Sequence, residues 1–419
     1  MSARALSAER LWARLMELGR IGALPGGGVN RQALSAEEIE AWRLLIGWGA
    51  QAGLVPSTDD AGNLFLAWRA GDTALPPVMA GSHIDSQPTG GLFDGAFGTL
   101  AALEAVIALK ESGHRPCRPV LVVAWMNEEG SRFAPGMMGS EVFAGRRSLA
   151  EIRAVRDAQG VGVGEALDRL HAAFPQIERR SPGFPVAAYV EPHIEQADML
   201  EASGAVIGVV SGIQGKKTFE MTIVGRQAHA GTEPMVRRSD ALQAFARVAC
   251  AMQAQMERED EAVRFTIGRI EVEPNAPSVV PALVRFCIDL RHPDNGVLDR
   301  LGRRLEALLA EHAAPCAFEA RRLVDAPSNG FDERLRAIIG RSARERGYPV
   351  LDLLSAAGHD ARQMAALAPS AMIFIPCRGG LSHHPDEWAE PEHIAAGATV
   401  LLDVLAELTS PAHHEGDPR

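Results

Sequence analysis

Two apolar runs constrain this chain more than any other feature. Residues 77–84 (PVMAGSHI) and 119–126 (PVLVVAWM) are too continuous to be half-exposed strands. Each must be covered on both faces, as in a parallel sheet layered by helices. Between them, residues 96–111 are rich in Ala and Leu and give way to Gly113, which predicts a crossover helix. Residues 186–190 (VAAYV) predict a third buried strand and 371–376 a further one, while 333–347 and 391–408 predict helices. The alternation specifies an α/β fold with a mixed, mostly parallel sheet. In such sheets, functional side chains gather beyond the carboxyl ends of the strands.

The texture changes near Gly212. Residues 217–225 alternate as a half-exposed strand, 240–256 predict a helix, and 265–272 and 283–290 predict strands. A helix over 297–312 and a short last strand over 316–323 complete the order β-α-β-β-α-β, the pattern of a ferredoxin-like α+β domain. The turn-rich DAPSNG at 325–330 then returns the chain to the first domain. The reading is a discontinuous catalytic domain, 1–211 and 326–419, with an inserted domain over 212–325.

Composition narrows the function. The 419 residues carry 42 Lys+Arg against 53 Asp+Glu, a formal net charge of −11. An acidic balance argues against a general nucleic-acid binder. No apolar run approaches the roughly 20 residues of a membrane span. Residues 1–24 mix Arg, Glu and apolar residues at helical spacing, without the apolar core of a signal peptide. Cys117, Cys250, Cys287, Cys316 and Cys377 are scattered and form no CxxC pair, which fits a reducing compartment and no thiolate zinc site. A soluble cytoplasmic protein is expected, with a frayed polar tail over 410–419. The glycines of SGIQG do not follow the dinucleotide fingerprint, so no nucleotide site is expected.

Imidazoles and carboxylates fall where the strands end. His83 and Asp85 lie in GSHIDS, Asp94 in GGLFDGAFG, Glu128 and Glu129 in MNEEGS, His193 and Glu195 in EPHIEQ, and His383 and His384 in GLSHHPDE. Four strand ends thus deliver such groups toward one edge. That convergence suits a pair of divalent metals, which needs nitrogen and oxygen donors and one carboxylate able to bridge. Asp94, on a glycine-flanked turn, suits the bridge. Asp85 is placed to orient the His83 ring through its other nitrogen. From an irregular loop, one of the paired glutamates can hold metal while the other works on water. The spacing to Pro385 and Glu387 favours His383 over His384. Zinc heads the candidates, but Mn, Co and Ni suit the same donors.

The segments GSHIDSQPTGGLFDGAFG, NEEGSRF, GSEVFAG, HIEQ, GRQAHAGTEPM, SAAGHDA and GLSHHPDE stand in this order between Gly26 and Trp388. In them the chain resembles the amidase/hydantoinase/carbamoylase family of the di-zinc aminoacylase/carboxypeptidase-like metallopeptidase superfamily. The resemblance implies His83, Asp94 and His193 on one metal, and Asp94, Glu129 and His383 on the other. It implies Glu128 as the general base and His229 as an oxyanion donor reaching across a homodimer interface in the inserted domain. It implies Asn275 and Arg291 on the substrate carboxylate, Gln196 on the ureido or amide end, and Gly358 in a substrate-facing loop. The inserted domain would act as a lid, closing over substrate, as well as in dimerisation. Ala197 and Asp198 replace a more usual Gly-Pro, and SAAGHDA replaces SGAGHDA; both changes bear on substrate identity.

The expected activity is hydrolysis of a linear C–N amide bond in a small carboxylate-bearing substrate. An N-carbamoyl-L-amino acid or N-carbamoyl-β-alanine would give amino acid, carbon dioxide and ammonia. Allantoate or a related ureide is the alternative, ahead of a peptidase or aminoacylase substrate. A non-catalytic ureide-binding relative would be marked by a lost ligand or base, and none is lost. His359 and Asp360 are open between a support for the site and a helix cap. His413 and His414, with the other histidines, read as surface or structural.

Overall fold

A computed structural model describes residues 5–411; of the expected tail, residues 412–419, with His413 and His414, lie outside the described residues. The chain divides into two compact units, Met1–Gly212 with Gly330–Arg419, and Ile213–Asn329. Among the described residues, no helix is long and apolar enough to cross a membrane.

The larger unit is built on a ten-stranded sheet. Its centre is Ser370–Ile375, Ala188–Ile194, Val78–His83 and Val120–Trp125, side by side and all parallel. Every residue of these strands is buried, which is why the sequence there runs continuously apolar. Antiparallel strands flank the centre: Leu64–Trp68 beside Val120–Trp125, and Ile207–Ile213 beside Ser370–Ile375. The helix Ala96–Glu111 is buried on nearly all sides and packs on Pro391–Leu408. An Ala-rich surface lets the two approach closely. Because the four central strands are parallel, their carboxyl ends leave the sheet at one edge.

The third strand is longer than expected. It runs over Ala188–Ile194 rather than 186–190, so His193 lies inside it, opposite Phe374. Glu191 masked the continuation, because a carboxyl reads as a strand end. Its oxygens are satisfied internally, by the Ser82 hydroxyl at 2.6 Å and the Ala361 N–H at 2.7 Å. His83 likewise is the last residue of its strand, opposite Trp125.

The smaller unit is an antiparallel sheet ordered Arg264–Glu273, Leu283–His292, Gly215–Val224, Ala317–Ala326. The helices Ala241–Met256 and Asn295–His312 supply the rest of its core. Asp240 and Asp294 cap them, accepting N–H groups of Leu242, Gln243 and Val297. The last strand is ten residues long, not short. It is an exposed edge strand, so no apolar alternation marks its length. A two-residue ribbon, Ala228–His229 with Val279–Val280, was not foreseen.

Candidate metal centre

The four parallel strands place two groups of donors in the larger unit. His83 Nδ1 lies 3.0 Å from the Asp85 carbonyl, and His193 Nδ1 lies 2.8 Å from the Ile194 carbonyl. A carbonyl only accepts, so each ring carries a proton on Nδ1, and in the neutral ring Nε2 is bare. Both bare nitrogens face one oxygen of Asp94, Oδ1, at 3.5 and 3.2 Å. The other oxygen, Oδ2, lies 3.3 Å from His383 Nε2, which is also 3.3 Å from Glu129 Oε2. The groups His83–Asp94–His193 and Asp94–Glu129–His383 therefore share one carboxylate, with donor atoms in each within 4.8 Å of one another.

Local geometry explains the placement. Asp94 sits where the chain turns into the helix Ala96–Glu111, and Gly95 makes that turn at φ +63°. A Cβ on Gly95 would lie 2.4 Å from the His83 ring, so only glycine fits. After the strand Val120–Trp125, Asn127 adopts the left-handed region at φ +56°. Its amide donates to the carbonyls of Phe133 at 2.8 Å and Pro135 at 3.3 Å. The loop doubles back so tightly that a Cβ on Gly136 would come within 2.1 Å of the Glu128 carbonyl oxygen. Adjacent glutamates thereby diverge. Glu129 meets His383, while Glu128 Oε2 lies 3.7 Å from His83 Nε2.

Asp85 supports both. Its carboxylate accepts the N–H groups of Glu128 at 3.2 Å and Glu129 at 3.3 Å. The orienting contact to His83 Nδ1 comes closer from its carbonyl, at 3.0 Å, than from its carboxylate, at 3.5 Å. Gln196 Nε2 donates to Asp94 Oδ2 at 2.9 Å, and its Oε1 is buried without a partner. Gly358 is exposed, and a Cβ there would lie 3.5 Å from Met137 Cε. His384 points elsewhere: it is exposed, and Nδ1 accepts the Asp386 N–H at 3.1 Å. His359 packs edge-on against His193 at 4.5 Å, and Asp360 bonds the Ser140 hydroxyl at 2.5 Å rather than capping a helix. Sequence reasoning missed Gln87, whose amide donates to Glu129 Oε2 at 2.8 Å. Its place in GSHIDSQ, four residues after His83, was the available signal.

Electrostatics test whether cations fit. Burial lifts Glu128 well above the usual carboxylate range, helped by the charges of Asp360, Glu129 and Asp85. Burial and neighbouring Asp94 lift Glu129 to about 7. Asp94 draws His383 up to about 9. Burial opposes ionisation of Asp94, but the imidazoles of His193, His383 and His83 hold it well below its ordinary value. Four carboxyl groups, those of Asp85, Asp94, Glu128 and Glu129, thus crowd three imidazoles whose Nε2 atoms all turn to carboxylate oxygens. Nitrogen and oxygen donors with an excess of carboxylate fit divalent cations.

The smaller unit holds the remaining expected residues. His229 is exposed on the ribbon, and its Nδ1 accepts the Gly231 N–H at 3.0 Å. Asn275 is exposed at φ +52°. Arg291 Nε donates to Asp289 Oδ1 at 2.7 Å, and Lys216 Nζ is 3.0 Å from Asp289 Oδ2.

Beneath Asp85 lies a buried cation. Arg31 is 2% exposed and donates to the carbonyls of Ile84, Leu18 and Ile21. Glu38 nearby is also 2% exposed. Burial lifts its carboxyl from an ordinary 4.5 to about 8, and the Asp85 charge adds to the effect. As pH rises through that window, the unfolded chain releases this proton first. The fold therefore loses stability as pH rises there. Glu38→Gln removes the loss, so its stability relative to the parent should climb between these pH values. Urea melts at several pH values check this, and parallel curves would refute it.

Comparisons with known proteins place the chain in a family. Residues 79–407 match the model of peptidase family M20/M25/M40. The chain belongs to this family of metal-dependent hydrolases. It is 40% identical over 410 residues to the N-carbamoyl-L-amino-acid amidohydrolase of Rhizobium meliloti, covering 96% of this chain and 97% of that one. It is 34% identical over 401 residues to the allantoate amidohydrolase of Bacillus subtilis, covering 93% and 95%. A solved amidase of the hydantoinase/carbamoylase family from Burkholderia vietnamiensis superposes with a TM-score of 0.87 at 40% identity, covering 98% and 99%.

Proposed function

We propose that this chain hydrolyses the linear C–N bond of an N-carbamoyl amino acid, releasing amino acid, carbon dioxide and ammonia. The observation that carries the reading is the shared carboxylate Asp94 between two donor groups, with Glu128 beside them. Full-length similarity to N-carbamoyl-L-amino-acid amidohydrolases supports the substrate class. Allantoate is the second reading, supported by 34% identity to two allantoate amidohydrolases.

His83, Asp94 and His193 would hold one divalent cation, zinc foremost, and Asp94, Glu129 and His383 a second. Bound there, such cations supply Lewis acidity to the substrate carbonyl and lower the pKa of water. Glu128 Oε2 takes the proton of the attacking water and returns it to the leaving nitrogen. Asp85 holds the Glu128 and Glu129 amides and so fixes where both carboxylates point. Gln196 Oε1 accepts an N–H of the ureido end. We assign Arg291 and Asn275 to the substrate carboxylate, Gly358 to a substrate-facing loop, and His229 to the oxyanion. The smaller unit would also form the homodimer. The cysteines, all free, support a reducing, cytoplasmic setting.

The test is an assay panel on metal-reconstituted protein. N-carbamoyl-β-alanine, several N-carbamoyl-L-amino acids and allantoate are read by ammonia release, and N-acetyl amino acids by the free amino group. One ureido substrate should turn over, with activity lost on chelation and restored by Zn²⁺, Mn²⁺ or Co²⁺. Silence across both readouts with metal bound would remove the amidohydrolase reading.

A further inference from the structure

A buried carboxylate outside the donor groups ties them together. Glu387 is 2% exposed. Its Oε1 accepts the backbone N–H groups of Phe93 at 2.9 Å and Asp94 at 3.0 Å. Its Oε2 accepts the Ser382 hydroxyl at 2.9 Å. One side chain thus grips the turn that carries Asp94 and the residue that precedes His383. The fit is tight, since a Cβ on Gly91 would lie 2.0 Å from Glu387 Cδ. The next residue, Trp388, packs edge-on against Phe93 and Trp12, with ring centroids 5.5 Å apart in each pair. His383 holds a left-handed φ of +54°, a conformation that persists only where neighbours enforce it.

Ser382 adds a second link. Its Oγ lies 3.1 Å from Asp94 Oδ2 as well as 2.9 Å from Glu387 Oε2. One hydroxyl proton therefore stands between two carboxylate oxygens. Asp94 Oδ2 already accepts the Gln196 amide at 2.9 Å, so while Glu387 takes the Ser382 proton, the remaining lone pair of that oxygen stays open to a cation. An amide at position 387 would donate to Ser382 Oγ instead. The hydroxyl proton would then turn to Asp94 Oδ2 and compete with the cation.

We propose that Glu387 is a positioning residue of the metal centre, fastening the Asp94 turn to the His383 loop and keeping Asp94 Oδ2 open to a cation. The inference rests on the metal-centre reading above. Zinc-loaded full-length protein, E387Q and E387D are challenged with a chelator, and zinc release is followed with an indicator dye. Melting of the metal-free forms is measured alongside. E387Q should release its more labile zinc about 10–100-fold faster, the usual cost of losing a partner behind a metal ligand. E387D keeps the charge but cannot span both loops; it carries the same expectation and stands in if E387Q does not fold. Melting of the metal-free folded variant should stay close to the parent's, which separates positioning from a general loss of structure. Release within about threefold of the parent, or a loss of metal-free stability large enough to account for it, overturns the proposal. A parent that retains no zinc fails the metal-centre reading itself, and the proposal falls with it. A zinc-replete parent beside equally retentive variants removes the proposal alone.

Discussion

Glu128→Gln should lower kcat by about 10²–10⁴-fold while metal content and fold stay as in the parent. The amide is isosteric, so the loop keeps its anchors: the Glu128 N–H on Asp85 Oδ1 at 3.2 Å, and the Glu128 carbonyl on the Met137 N–H at 2.9 Å. What the amide cannot do is take a proton. Glu128 suits that task because burial, then the carboxylates around it, lift its affinity for protons well above the ordinary. KM should change little, since the lost interaction belongs to the transition state. Glu129→Gln is the informative partner. Glu129 Oε2 is 3.3 Å from His383 Nε2, so this variant should lose metal as well as activity. Steady-state kinetics with elemental analysis reads both. A Glu128→Gln enzyme that keeps more than about a tenth of its turnover would end the assignment of this group as the base. Equal metal loss in both variants would end the division of labour between the neighbours.

That division shows where sequence reading works and where it stops. His83, Glu128, Glu129 and His193 were legible because continuous apolar runs mark buried strands, and parallel strands must end at one edge. Asp94 was legible through the glycines around it, one of which the His83 ring leaves no room to replace. The roles of Glu128 and Glu129 rested on resemblance, because only the turn at Asn127 sends them apart, and that turn depends on the distant carbonyls of Phe133 and Pro135. Asp85 was expected to orient the His83 ring; its carbonyl is the closer partner there, and its carboxylate holds two amides. Residue type cannot tell which oxygen of an aspartate does the work. Strands such as Val55–Asp59 and Val350–Ser355 were not anticipated, since these short segments carry no clean alternation and owe their structure to pairing with other strands.

The largest effect is expected at Asp94. It is the one residue common to both donor groups, with Oδ1 facing His83 and His193 and Oδ2 facing His383. Asp94→Asn removes the charge and replaces one acceptor oxygen with a donor nitrogen. Neither group then keeps an anionic bridge, so the variant should bind neither metal, and turnover should fall to the limit of detection. Metal bound at a thousand times its dissociation constant stabilises a fold by about 4 kcal/mol. Adding Zn²⁺ should therefore raise the melting temperature of the metal-stripped parent and leave that of Asp94→Asn unmoved. His383→Ala makes the contrast. It removes a donor from one group and spares His83, Asp94 and His193, so about one metal per chain should remain, with part of the stabilisation. Elemental analysis and thermal melts with and without Zn²⁺ decide between a shared and a divided centre. Should Asp94→Asn retain one tightly held metal, the two groups bind independently, and Asp94 is not the bridge that its two oxygens suggest.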